Sequence, residues 1–159
     1  MLAIGLPGAG KSTYFARKGI VPLSSDLIRE LLYDNAGDQR HPEWVFAVLR
    51  DLLRHRLAAG AQTTYIDATN LSRYFRRSFL QIAREFGCAA EALYFDVPLE
   101  VCLERNRKRA SSARDARVVP ENVLRRMARR LEPPWREEGF SRIVVVRTGA
   151  KKSRSKAKA

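Results

Sequence analysis

The strongest constraint on this chain lies near its first residue. Gly5-Leu6-Pro7-Gly8-Ala9-Gly10-Lys11-Ser12 meets the spacing G-x-x-x-x-G-K-[ST] at every fixed position. Glycines let the backbone turn tightly and aim successive N–H groups into one anion-binding concavity. Such a loop must follow a strand and open a helix, whose N-terminus adds its positive dipole end. The apolar Leu2-Ala3-Ile4 predicts the strand, and Ser12–Lys18 predicts the helix. In this cradle Gly8, Ala9, Gly10 and Thr13 surround a phosphate chain. Lys11 can reach its β- and γ-phosphates, and the Ser12 hydroxyl can ligate Mg²⁺.

The rest of the chain alternates strand and helix patterns, which implies an α/β fold with a parallel sheet and helical crossovers. Expected strands are Leu2–Ile4, Ile20–Ser24, Thr63–Asp67, Ala92–Phe95 and Arg142–Arg147. Thr64-Tyr65-Ile66 and Ile143-Val144-Val145-Val146 are continuous apolar or β-branched runs, as strands covered on both faces should be. Pro42 opens a helix whose stripe is Val45, Val48, Leu49, Leu52, Leu53 and Leu57, with Gly60 as its stop. Ser72 can cap a helix running to Phe86 and closed by Gly87. Further helices should begin near Pro98 and Pro120. The polar, basic segment 110–119 between them reads as a mobile loop or short lid. Residues 1–148 are expected to form one domain, with residues 149–159 a basic disordered tail.

A chain of 159 residues suits one domain with a sizeable core. It shows no membrane-length apolar run and no signal peptide, so a cytoplasmic location without membrane contact is expected. Cys88 and Cys102 read as buried thiols of a reduced compartment rather than a disulfide. His41 and His55 read as incidental. The formal charge is +13; the tail holds five positive residues and no acid, so the body keeps +8. Such an excess favours polyanionic partners, although a soluble arginine-rich protein would show it too.

In a phosphate-loop parallel sheet the ligand lies beyond the carboxyl ends of the strands. Three predicted strand ends are polar: Ser24-Ser25-Asp26, Asp67-Ala68-Thr69-Asn70 and Asp96. Asp26 can accept the proton of an incoming hydroxyl, or it can merely cap a helix. Arg29, three residues on, shares its helical face and can hold an anionic group of an acceptor. Asp67 can bind a magnesium water, while Thr69 and Asn70 can position Asp26 or a phosphate; turn chemistry is the alternative for all three. Arg105 and Arg109 share a face just before the lid, where they can grip donor phosphates or stand solvated. The run Arg125-Arg126-Met127-Ala128-Arg129-Arg130 is either a nucleic-acid-facing surface or an exposed helix face. Tyr33, Trp44, Phe46 and Tyr74 could stack bases or fill the core. Trp135 should pack the last helix against the sheet.

The succession GLPGAGKST, SSDLIR, IDATNL, YFDVPLEVCLERNRKR, VVPENVLRRM and EEGF resembles the kinase domain of 5′-polynucleotide kinases, over about residues 1–146. The closest likeness is to the kinase modules of phage and bacterial nucleic-acid repair enzymes, within a larger group of small P-loop kinases. The resemblance implies a P-loop kinase fold with a sheet of about five strands. It implies transfer of the γ-phosphate of ATP or another NTP, with Mg²⁺, to the 5′-hydroxyl of DNA or RNA. Asp26 would be the general base, Arg29 a clamp on the acceptor phosphate, and Arg109 with Arg105 lid arginines on the donor phosphates. Lys11 and Ser12 would keep the usual roles. Partners would be nucleic acid with a 5′-hydroxyl end and separate repair proteins. Two rivals stand beside this reading. One is a kinase of a sugar, nucleoside or antibiotic hydroxyl on the same fold. The other is a non-catalytic protein that uses ATP as a switch.

Overall fold

The computed structural model describes residues 1–111 and 117–147. The strands are β1 (Leu2–Ile4), β2 (Leu23–Ser24), β3 (Ile66–Asp67), β4 (Glu91–Phe95) and β5 (Arg142–Val146). The helices are α1 (Lys11–Arg17), α2 (Ser25–Tyr33), α3 (Pro42–Ala58), α4 (Arg73–Glu85), α5 (Leu99–Ala110) and α6 (Glu121–Arg129), with a short 3₁₀ turn at Arg136–Glu138. The five strands form one parallel sheet in the order β2-β3-β1-β4-β5. The expected α/β architecture with about five strands is therefore the one present. The tail from residue 149 and most of the anticipated lid lie outside the described residues.

Strand alternation divides the core. Leu2, Ile4, Ile66 and Ala92 face one layer with Ile28 of α2, Val45, Leu49 and Leu53 of α3, and Phe79 and Ile82 of α4. Ala3, Leu93 and Phe95 face the other, with Phe15 of α1, Cys102 and Leu103 of α5, and Leu124 of α6. Successive strand residues point to opposite faces, so a short strand buried on both sides serves two cores at once. The α3 stripe is narrower than expected: Leu52 remains 38 % exposed.

Two strands are shorter than their apolar runs. The Ile20 amide is taken by the Phe15 carbonyl at the end of α1, and Pro22 has no N–H, so β2 begins at Leu23, whose amide bonds the Tyr65 carbonyl. Ser72 occupies the N-cap of α4 but makes no side-chain cap bond. The Glu132 carboxylate accepts the Arg73 amide at 3.0 Å instead. Trp135, expected to pack the last helix against the sheet, is 52 % exposed and belongs to neither core cluster. Both cysteines are free, but only Cys102 is buried; Cys88 lies on the surface. Among the described residues no helix is long and apolar enough to cross a membrane.

One side chain that the sequence reading passed over ties the C-terminal half together. Arg76 projects from the buried face of α4 and has no exposed surface. Its Nε and Nη2 donate to Glu138 Oε2 and Oε1 at 2.8 and 2.7 Å. Its Nη1 donates to the carbonyls of Asn70, Leu71 and Glu132 at 3.0, 3.2 and 3.0 Å. A planar guanidinium can serve a carboxylate and several carbonyls together; an ammonium cannot.

Breaking a buried, fully bonded pair leaves the partner charge uncompensated, at a cost of about 3–5 kcal/mol. Arg76→Ala should therefore lower the urea midpoint sharply with little change in the slope m. Arg76→Lys should recover only part of the loss. A midpoint shift near zero in Arg76→Ala would show that the pair does not hold the fold.

Candidate active site

The parallel register brings three strand ends into one row. Ser24 lies beside Asp67, and β1 runs between β3 and β4 into the glycine loop. Two hydrogen bonds join that loop to the segment after β3. The Gly5 amide donates to the Thr69 carbonyl at 3.1 Å, and Asn70 Nδ2 donates to the Ala3 carbonyl at 2.8 Å.

Gly8 and Gly10 have φ of +83° and +99°, in the left-handed region that favours glycine. At Gly8 space forbids anything larger as well: an added Cβ would meet the Cys102 carbonyl oxygen of α5 at 2.8 Å. Gly10 is the N-cap of α1, and the buried Ala9 packs in the core behind the loop. Thr13 is exposed on the first turn of α1.

Lys11 is not the solvent-facing group its motif suggests. It is buried, and Nζ donates to the carbonyls of Gly5 and Leu6, each at 2.9 Å. Burial pushes its pKa down, while Asp67 and Asp26 pull it back up. The ammonium is thus folded into the loop that it would serve, on carbonyls that a phosphate oxygen can replace.

Ser12 Oγ donates to Asp67 Oδ2 at 2.8 Å. Burial raises the Asp67 pKa; Lys11 and the Ser12 hydrogen bond lower it again. A hydroxyl and a carboxylate in contact beside the loop are hard oxygen donors. They fit Mg²⁺ as phosphate-transfer proteins hold it, with few protein ligands and the rest from phosphates and water. Among the described residues no group of three or more His, Cys, Asp or Glu could hold a metal unaided, so Ser12 and Asp67 are the pair that would share the ion with a nucleotide.

Asp26 does not cap α2. Ser24 is the N-cap residue, its Oγ accepting the Leu27 amide at 3.5 Å. Asp26 sits in the first turn and accepts from Arg29 Nη1 at 3.1 Å. The Arg29 side chain is 9 % exposed against 43 % for Asp26, and Arg29 Nε is buried without a partner among the described residues. The geometry makes Arg29 a brace for the Asp26 carboxylate. Asp26 is close enough to act electrostatically on both Lys11 and Asp67.

Asn70 is turned inward, 1 % exposed, with φ +47°. Its amide supports β1 and does not reach out to an acceptor. Thr69 is half-buried and contributes its carbonyl to Gly5. Arg105 Nη1 donates to the Gly8 carbonyl at 3.0 Å, and Arg109 lies one turn on, near enough to act on Lys11 and Cys102. Both therefore stand over the loop from α5 itself. Of the other basic cluster, Arg125 pairs with Glu121, its Nη2 2.8 Å from Oε1, and Arg126, Arg129 and Arg130 are exposed.

The four aromatics that could stack bases or fill the core divide. Trp44 and Tyr74 are exposed at 54 and 82 %, and Trp44 stacks on His41 with centroids 4.0 Å apart. Tyr33 and Phe46 are half-buried against the core.

Ser12, Asp26 and Asp67 all line one cavity of about 490 Å³ between α1 and α2. The sequence reading did not name Arg117, which also lines it. Nor did it foresee the apolar side chains that form most of the wall, since neither group belongs to a motif.

The profile of a family described as "AAA domain" matches residues 1–134. Among curated proteins the chain is 27 % identical to an L-seryl-tRNA(Sec) kinase of Methanococcus maripaludis, over 84 % of this chain and 52 % of that protein. It is 29 % identical to the transcription factor bHLH140 of Arabidopsis thaliana, over 94 % of this chain and 16 % of that one. The chain thus spans about half or less of the length of these relatives. Among solved structures, a candidate kinase of Chloroflexus aurantiacus J-10-fl superposes with TM-score 0.69 at 15 % identity, covering 92 % of this chain and 85 % of that one. A gluconokinase of Sinorhizobium meliloti 1021 gives 0.57 at 21 %, covering 92 % and 80 %. These two likenesses are of fold.

Burial that raises the Asp67 pKa means that its charged form is held at a cost. Above the raised value the penalty is fully present; as pH falls through it, protonation removes the penalty. Asp67→Asn should therefore melt at or above the wild-type temperature at pH 7. Its advantage should shrink as pH is lowered through the carboxylate range. A variant less stable at pH 7 than at pH 4, relative to wild type, would contradict this account.

Proposed function

The chain belongs to the AAA domain family matched over residues 1–134, a family of P-loop kinases, and from that premise we propose that it transfers the γ-phosphate of ATP to the hydroxyl of a compact acceptor. The observation that carries this reading is that Ser12, Asp67 and Asp26 line one cavity of about 490 Å³. That volume suits a small molecule. A hydroxyl entering it meets a carboxylate on the acceptor side and the phosphate cradle on the other. The relative named for seryl-tRNA is a kinase, as is the fold neighbour named for gluconate.

The roles follow from position. Asp26, oriented by Arg29, takes the proton of the acceptor hydroxyl as its oxygen attacks the γ-phosphorus. The bond from that phosphorus to the β-phosphate oxygen breaks, and ADP leaves. Lys11 exchanges its two carbonyl partners for phosphate oxygens. Arg105 and Arg109 offset negative charge on the transferring group from α5. Ser12 and Asp67 would hold Mg²⁺, which would offset negative charge on the transferring phosphate. The non-catalytic switch reading has no need of a carboxylate braced in the acceptor cavity.

A second reading, phosphorylation of a DNA or RNA 5′-hydroxyl, is favoured by the charge of +13. Against it, its acceptor clamp Arg29 is buried and engaged with Asp26. Incubation with labelled ATP, Mg²⁺ and a panel of sugars, nucleosides, other small alcohols and 5′-OH oligonucleotides decides between them. Label on small acceptors supports the first reading, and label confined to oligonucleotides supports the second. No label on any acceptor would refute both.

Asp26→Asn should lower kcat by about 10²–10⁴-fold, the usual worth of a general base, with ATP affinity nearly unchanged. A loss of ATP affinity equal to the loss of rate would put Asp26 on the metal instead.

A further inference from the structure

The wall of the acceptor cavity is unlike the rest of the surface. The chain carries +13, yet α1, β2 and α2 contribute no cation to this lining; among the described residues its one basic member is Arg117. Facing the cavity are three carboxylates, Asp26, Glu30 and Asp67. Around them stand Phe15, Ile20, Val21, Pro22, Leu27 and Ala36. The exposure of these side chains sets a gradient. Asp67 is buried on the floor, while Val21 and Leu27 stand at the rim, 87 and 51 % exposed. Leu31, one turn beyond Leu27 on α2, is 75 % exposed. An apolar rim around a polar floor is a specificity device: the polar groups fix the reacting end, and the apolar ones select the body behind it.

Resting on the kinase reading above, we propose that the acceptor is an uncharged alcohol whose hydroxyl is carried on an apolar body of aryl or alkyl character. The hydroxyl goes to the half-exposed Asp26, between the buried Asp67 and the rim, and the body lies against Val21, Pro22 and Leu27. Charge sets the other half of the specificity. Asp26 is already paired with Arg29 and Asp67 lies beside Lys11, so among the described residues it is Glu30 that a sugar acid or a phosphorylated acceptor meets as an uncompensated like charge. Glu30 is kept in place by the Ala36 amide, which donates to Oε2 at 2.7 Å. A polyol without an apolar part leaves the rim with no partner. The cavity volume of about 490 Å³ is of the size that holds a small molecule.

The test uses the full chain with ATP and Mg²⁺. Acceptors of matched size are compared: aryl- and alkyl-substituted primary alcohols, unsubstituted polyols, sugar acids, and a 5′-OH oligonucleotide. The aryl and alkyl alcohols should show the highest kcat/KM, by about tenfold or more, the scale of one well-placed apolar group in a pocket. Their binding, followed by calorimetry, should show a negative heat-capacity change. The paired variant Val21→Ser, Leu27→Ser alters two exposed side chains, so it should fold normally. It should raise KM for the apolar alcohols about tenfold, leave kcat nearly unchanged, and leave polyol KM where it was. Glu30→Gln keeps an oxygen for the Ala36 amide and should improve the use of sugar acids. Preference for polyols, sugar acids or oligonucleotides, or an unchanged KM in the paired variant, overturns this inference while leaving the kinase reading standing. Absence of phosphate transfer to every acceptor overturns both.

Discussion

The structure turns on a charged group held inside a turn of backbone. The Lys11 ammonium lies buried on the carbonyls of Gly5 and Leu6, and the loop around it can close only because Gly8 and Gly10 take left-handed angles. That closure presses the loop against α5, where the Cys102 carbonyl leaves no room for a Cβ at Gly8. Three polar side chains around the loop are placed relative to this turn. Ser12 follows it on α1, Asp67 reaches Ser12 from β3, and Arg105 returns from α5 to the Gly8 carbonyl.

A loop of this kind needs support on the side away from phosphate. Two hydrogen bonds link it to the Asp67–Leu71 segment, through Gly5 with Thr69 and through Asn70 with Ala3. Arg76 then holds the far end of that segment by the carbonyls of Asn70 and Leu71, and anchors it to Glu138. The chain of contacts runs from the loop through β3 to the connection before β5. A polar network of this sort is stabilising only while each member is bonded. Within it, Asn70 Oδ1 is the buried side-chain atom that lacks a partner among the described residues.

Charge is distributed by task. Much of the positive excess sits in exposed side chains, several of them paired locally, as Arg107 with Glu121 and Arg142 with Glu91. Exposed pairs of this type contribute little to stability, about 0–1 kcal/mol each. The cations around the loop are drawn further from water: Lys11 and Arg29 are buried, and the half-buried Arg105 lies over Gly8. The cavity beside the loop is walled mostly by apolar side chains and carboxylates, with Arg117 its basic member among the described residues. Net charge therefore describes the surface and says little about what the cavity receives.

The phosphate loop, the alternation of strands and helices, and the polar ends after Ser24 and Ile66 were legible in the sequence, because each depends on local rules. Glycines permit the turn, period and β-branching mark strands, and Pro42 sets the start of α3. Local rules failed where distant groups compete for the same atom. Ser72 lost its capping bond to Glu132, and β2 shortened because Phe15 claimed the Ile20 amide. Asp26 and Arg29 share a face by their spacing alone, but only packing decided that Arg29 is buried as a brace and does not reach solvent. The motif likewise singled out Lys11, but only the fold gave its buried position on the Gly5 and Leu6 carbonyls. Arg76 had a faint signal, a charged residue on the α4 face that also carries Phe79, Leu80 and Ala83; its partner Glu138, 62 residues away, had none. The sequence by itself determined which chemistry the strand ends could present, since that is written in short spacings. Tertiary structure alone decided what the cavity is made of, since its wall gathers residues from α1, β2, α2 and the segment after α5, and no spacing along the chain records that meeting.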